Sequence, residues 1–88
     1  MNATEIKKFV ENKVTSKDKY VKIEFGKRDP IYGLFIAGDD YNDLSSKNFW
    51  RIVTSKNFDA YNKSQDASLA KLFNGFEFLK LSLLSDEF

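Results

Sequence analysis

The chain has 88 residues, with 14 basic and 13 acidic side chains and neither cysteine nor histidine. Its length fits one domain with a modest core, so we predict a single domain spanning residues 1–88. Without cysteine or histidine, the chain cannot form disulfides, thiolate metal sites, or Ser–His and Cys–His catalytic pairs. We therefore expect no enzymatic activity, no cofactor and no metal site. The 14 aromatic residues, nine of them Phe, favour a binding or assembly module.

The first residues lack the apolar run of a secretory signal. The most apolar stretch, residues 31–38, is too short to cross a bilayer. No lipid-modification motif is visible. We therefore expect a cytoplasmic protein without a membrane partner.

Charge is segregated along the chain. Residues 1–28 hold eight basic and four acidic side chains, whereas residues 29–46 hold four aspartates and no base. The near-neutral total argues against a non-specific nucleic-acid binder, but it leaves room for a local basic face.

The predicted elements begin with a helix over residues 3–14. Ile6, Phe9 and Val10 recur at helical spacing. Asn2 or Thr4 can cap the helix, and Asn2 with Glu5 forms the pattern of a capping box. Residues 20–26 then alternate between apolar and polar, as in a half-buried strand. The next strand, 31–37, is apolar on both faces. Gly33 within it indicates a bend or a close backbone approach.

Residues 38–48 are predicted to form a polar loop. Three further strands are predicted over residues 49–54, 57–62 and 76–84, with a short helix over 66–73 that Asp66 caps and Asn74-Gly75 ends. The last strand is too apolar to be an exposed edge. Either it crosses a barrel, or a second subunit covers it.

Together these elements predict a mostly β fold. An N-terminal helix precedes a small, bent, five-stranded antiparallel barrel over residues 19–84, with a short helical turn before the last strand.

This element order resembles the Sm-like family, which includes the LSm proteins and Hfq. The residues that carry the resemblance are the alternating Val21, Ile23 and Phe25, the Gly33-Leu34-Phe35 segment with Asp39 behind it, and the Asn74-Gly75 turn. The resemblance implies a homo-oligomeric ring, in which the fourth strand of one subunit pairs with the fifth strand of the next. It also implies binding of single-stranded RNA by base stacking and backbone contacts.

On this resemblance the RNA site would include the 38–48 loop, the Asn74-Gly75 turn and the basic N-terminal helix. Its predicted residues are Tyr41, Asn42, Asp43, Asn74, Gly75, Lys7 and Lys8. Tyr41 either stacks on a base or anchors its own loop. The lysines either follow a phosphate backbone or simply face solvent. The spacing of Asp39, Asp40 and Asp43 does not match a calcium loop.

The predicted subunit interface lies on the fourth and fifth strands. Its residues are Phe58, Ala60, Phe76, Phe78, Leu81 and Leu83. Arg51, in an otherwise apolar strand, is expected either to pair with an aspartate or to reach solvent. Two alternatives to an RNA-binding ring remain: a self-assembling interaction module without an RNA site, and a monomeric SH3-like adaptor.

Overall fold

A five-stranded antiparallel sheet follows an N-terminal helix in the computed structural model, which describes residues 1–87 and the side chains of residues 1–85. Phe88 therefore lies outside the described residues. The helices are α1 (Ala3–Asn12), α2 (Tyr41–Ser46) and α3 (Phe58–Ser64). The strands are β1 (Tyr20–Phe25), β2 (Ile31–Ile36), β3 (Phe49–Thr54), β4 (Lys71–Asn74) and β5 (Phe78–Leu83). Their order in the sheet is β4-β3-β2-β1-β5. The predicted helix-plus-antiparallel-sheet architecture is confirmed.

The sheet is open. Among the described residues, β4 pairs with β3 and β5 pairs with β1, and the two strands lie at opposite edges of the sheet. The expected closure into a barrel is therefore wrong. The residues given to the fourth predicted strand form a helix instead, and the strand that takes its place has only four residues.

Helix α1 covers one face of the sheet. Its predicted capping box is present: the Glu5 amide donates to Asn2 Oδ1 at 2.8 Å, and the Asn2 amide donates to Glu5 Oε1 at 3.1 Å. The helix ends at Asn12, two residues before the predicted end. Ile6 is fully buried in the core, whose members from the sheet are Val21, Ile23, Phe25, Trp50, Ile52, Phe78 and Leu81.

Helix α3 covers the opposite face, where residues 57–62 were expected to form a strand. The Phe58 ring lies 4.4 Å from the Tyr20 ring between centroids, and Asn62 Nδ2 donates to the Tyr20 hydroxyl at 2.9 Å. Residues four apart can meet one partner on a helix, whereas a strand would separate them by about 13 Å. The apparent alternation of Phe58, Ala60 and Asn62 was therefore misleading.

Of the one or two helical turns predicted over 66–73, one short turn is present. Asp66 does accept a capping hydrogen bond from the Ser68 amide at 3.0 Å, but it caps only a 3₁₀ turn over Ala67–Leu69. The chain then extends as β4, because Phe73 pairs with Trp50 across the sheet and extends the apolar face. The final strand starts at Phe78 rather than at residue 76, after a 3₁₀ turn over Gly75–Glu77.

Gly33 is required by close packing, as its position in β2 predicted. A Cβ atom there would collide with the Ile52 side chain, which crosses directly over the glycine. Gly75 is equally constrained, by Asn48 and Ile6, but its φ is not in the left-handed region expected of a helix stop.

The helices in residues 1–87 are too short or too polar to cross a lipid bilayer.

Candidate functional site

Tyr41 opens helix α2 and lies half-buried between α1 and the sheet. Its ring meets the Trp50 ring edge-on, with centroids 6.0 Å apart, and its hydroxyl donates to Glu11 Oε2 at 3.2 Å. The Lys7 ammonium lies 5.9 Å from the ring centroid. Burial, with a smaller effect from the Glu11 carboxylate, raises the pKa of Tyr41 to about 12. These contacts are those of a side chain that anchors α2 to α1.

A groove beside Tyr41 brings together two of the predicted RNA-binding residues. Lys7 from α1 and Asn42 from α2 line one open cavity of about 240 Å³, whose walls also include Thr4 and Ser46. Lys8 is exposed on α1 but does not line the cavity. We call this cavity the α1–α2 groove.

Asp43 is exposed on α2, where its carboxylate pairs with Lys47 Nζ at 3.4 Å, four residues later. The Asn74 side chain stabilises its own turn, because its Oδ1 accepts a hydrogen bond from the Phe76 amide at 3.0 Å. Gly75 is buried, and its amide donates to the Asn48 carbonyl at 2.8 Å. Asn74 and Gly75 thus belong to the junction of α1 with the β4–β5 turn, and neither lines the α1–α2 groove.

Asn48 organises that junction, and the sequence did not single it out. It is fully buried, and its φ of 63° is in the left-handed region, which asparagine tolerates better than most residues. Its Oδ1 accepts from Trp50 Nε1 at 2.8 Å, and its Nδ2 donates to the Met1 carbonyl at 3.0 Å. One sequence signal could have identified Asn48. An asparagine after a short helical segment, here after Ser-Ser-Lys, is typical of the left-handed residue that ends a helix.

Arg51 pairs with an aspartate, the first of the two outcomes expected for it. Its Nη2 lies 2.6 Å from Asp40 Oδ2, and its Nε donates to Asp40 Oδ1 at 3.3 Å. This two-point pair lowers the pKa of the Asp40 carboxyl from its ordinary value and raises the pKa of Arg51, chiefly through the side-chain hydrogen bonds. It fixes the 38–40 turn on the outer face of β3.

The predicted interface residues divide between core and surface. Phe78 and Leu81 belong to the core of the single chain, and Leu83 is half-buried beside Val21. Phe58 packs on Tyr20, while Ala60 is exposed on α3. Phe76 is 69% exposed.

Two further apolar residues are exposed on the free edges. Leu72 on β4 is 52% exposed, and Leu79 on β5 is 69% exposed. The sequence pattern predicts a helix over the segment that contains Leu72 and therefore does not identify this residue as exposed on a strand. The sequence pattern also does not show that Leu79 is exposed. Its side chain turns outward at a register irregularity in β5, which the pattern does not predict.

Each edge strand has one partner strand among the described residues, which leaves the outer row of amides and carbonyls of β4 and of β5 without a ladder partner. Such edges are templates for pairing with another strand. No three carboxylates converge on a potential metal position in the described part of the chain.

The fold and these surfaces define a small α/β domain with two open sheet edges. No protein-family model, curated protein or solved structure matches the chain.

Proposed function

We propose that this protein is a self-assembling Sm-like module in which β4 of one copy pairs with β5 of the next. The observation that carries the proposal is the presence of one free edge at each end of the same sheet, each with an exposed leucine. Two different surfaces that complement each other make a head-to-tail contact, which closes into a ring when the rotation between copies allows it.

The charges on the two edges are compatible with this pairing. Lys71 lies opposite Ile52 and so occupies the core side of β4, whereas Lys80 lies opposite Glu24 on the outer side of β5. Directly opposed residues in an antiparallel pair share one face of the sheet. A sheet that continues from copy to copy therefore cannot place these two lysines directly opposite each other.

Because directly opposed residues share one face of the sheet, one register of the β4–β5 pair is favoured. When Phe73 lies opposite Leu81 of the next copy, both point to the core side, and Leu72 lies opposite Ser82 on the outer side. All four residues of β4 then find partners within β5. The Phe73–Leu81 pair extends the apolar core across the boundary between copies.

Disulfide trapping tests this register, because the natural chain has no cysteine. We expect Leu72→Cys mixed with Ser82→Cys to form an inter-chain disulfide under mild oxidation, identified by the cross-linked peptide. Leu72→Cys mixed with Lys63→Cys, on the exposed side of α3, is the matched control. Equal yields from the two mixtures would contradict β4–β5 pairing.

A second function, binding of single-stranded RNA, is favoured by one observation. The α1–α2 groove places Lys7 and Asn42 in a single cavity, with the Tyr41 ring directly beside Lys7. A cation, an amide and an aromatic ring are the groups that contact phosphate, base edge and base face. In a ring, the basic residues of α1 would be repeated in every copy. Together they would raise the positive electrostatic potential of one ring surface, which attracts the RNA backbone.

RNA binding is tested with short U-rich and A-rich oligonucleotides at two salt concentrations. We expect Lys7→Gln to weaken binding and to reduce its salt dependence, with a slope change of about 0.7 per lost phosphate contact. Lys63→Gln, remote on α3, is the control. Absence of binding at low salt by an assembled protein would exclude the RNA function and leave the self-assembly proposal standing.

A further inference from the structure

The outer face of the sheet holds a polar cleft with no role in the assembly or RNA proposals. It lies between the 38–40 turn on one side and the end of α3 with the following 3₁₀ turn on the other, and its volume is about 630 Å³. Most of its lining residues are exposed, so the cleft is an open depression with room for a small organic molecule. The polar residues that line it are Asp39, Asp40, Arg51, Tyr61, Gln65 and Ser68.

Arg51 is held in place at this cleft. Asp40 occupies Nε and one N–H of Nη2, and no described residue accepts from the guanidinium's other N–H groups. A guanidinium has five N–H donors in a fixed plane, so three remain available. Because Asp40 already fixes the side chain, a ligand would not have to order it.

One residue of the opposite wall, Gln65, is also held by hydrogen bonds. Gln65 Nε2 donates to the Tyr61 carbonyl at 3.2 Å, and the Gln65 amide donates to the same carbonyl at 2.7 Å. These bonds hold Gln65 in the left-handed conformation that ends α3.

The charges select the class of ligand. Asp40 is already paired with Arg51, so the cleft keeps one unpaired carboxylate, on Asp39, and the unused N–H donors of Arg51. A molecule with adjacent opposite charges satisfies both. Asp39 is exposed and has no hydrogen-bond partner in the described part of the chain, so its carboxylate is free to accept from an ammonium group.

We propose that this cleft binds a small zwitterion of the α-amino-acid class, with the ligand's carboxylate on Arg51 and its ammonium group on Asp39. The apolar lining of Ile36 and Ala67 would face the ligand's side chain. The proposal is independent of self-assembly, because no residue of β4 or β5 lines the cleft.

The test is a titration of the isotopically labelled full chain with each of the twenty amino acids at millimolar concentration, followed by amide NMR shifts. We expect at least one to give saturable shifts confined to residues 36–40, 51 and 61–68. Its N-acetylated and its decarboxylated forms should each bind at least tenfold more weakly, because a hydrogen bond to a charged group contributes a factor of about ten or more.

Asp39→Asn is the matching variant, since an exposed side chain without partners can change without affecting the fold. We expect it to weaken binding about tenfold, with unchanged dispersion of the NMR spectrum, whereas Asp59→Asn on α3 should leave binding unchanged. Absence of saturable shifts with all twenty amino acids would overturn the proposal. So would equal binding of the N-acetylated form, or tighter binding of a nucleoside monophosphate.

Discussion

The indole nitrogen of Trp50 donates to Oδ1 of Asn48 at 2.8 Å, and both side chains are buried. This bond connects Asn48, which follows α2, to the residue that anchors β3 in the core. The side-chain amide of Asn48 also donates to the Met1 carbonyl, and its backbone carbonyl accepts from the Gly75 amide. One asparagine therefore links α1, α2, β3 and the β4–β5 turn.

Asn48→Ala should reduce the free energy of unfolding by about 2–4 kcal/mol, because it leaves the Trp50 N–H buried without a partner and places alanine in the left-handed region. Chemical denaturation followed by Trp50 fluorescence measures the change. Asn48→Gly removes the same bonds but tolerates the backbone conformation. It should lose less stability than Asn48→Ala, and a larger loss would refute the backbone part of this explanation.

Gly75→Ala should destabilise the fold by about 1–3 kcal/mol, because the added Cβ would overlap Asn48 and Ile6 in the buried junction. Gly26→Ala is the control, since a Cβ at that position meets no atom within 4 Å. Thermal unfolding of the two variants compares them directly. Equal midpoints would show that the junction can relax around a methyl group.

The pair between Asp40 and Arg51 predicts acid sensitivity. The pKa of Asp40 is lowered in the folded state, so the pair stabilises the fold above the unfolded value of 3.8 and loses that effect as the pH falls through the folded value. We expect Asp40→Asn to show a shallower loss of stability than the natural protein below pH 3.8. Parallel acid-unfolding curves would contradict the assignment. The effect should also shrink at high salt, because both side chains are about 40% exposed.

Tyr41 should titrate later than a free phenol. Its pKa of about 12 lies above the ordinary value of 10.0, so its contribution to stability is present below pH 10 and is lost as the pH rises toward 12. Tyrosinate absorbance should show a late phase that Tyr41→Phe removes. Persistence of that phase in the variant would assign it to another tyrosine.

Two variants of Tyr41 distinguish its two possible roles, which are stacking on an RNA base and anchoring α2 to α1. If Tyr41 stacks on a base, Tyr41→Ala should weaken RNA binding by about 1–3 kcal/mol, while Tyr41→Phe retains most of the affinity because the ring face is kept. Oligonucleotide titration measures both. If both variants bind RNA as tightly as the natural protein, Tyr41 serves only to anchor α2 to α1.

The sequence predicted well where periodicity was regular and local. Helix α1, with its Asn2–Glu5 capping box, and strands β1 to β3 follow from patterns that extend over at least six residues. The prediction for the segment after β3 is wrong because α3 is short and mostly polar. Its alternation over three positions fits a strand as well as a helix. Contact with Tyr20, far away in sequence, decides between them.

The candidate surfaces were less predictable than the fold. Arg51 stood out as a charge in an apolar strand, but only the folded chain shows that Asp40 is its partner. Asn48 is a polar residue in a polar segment, and its burial depends on α1 and the β4–β5 turn closing over it. The exposed leucines became visible only when the sheet order placed β4 and β5 at its edges.

The central claim is that the two free edges pair between copies, and the solution mass at micromolar concentration tests it most directly. Sedimentation or native mass spectrometry should find a single assembly of several chains, and the double variant Leu72→Lys with Leu79→Lys should reduce it to single chains that remain folded. A natural protein that sediments as a folded single chain would contradict β4–β5 pairing and favour the monomeric adaptor.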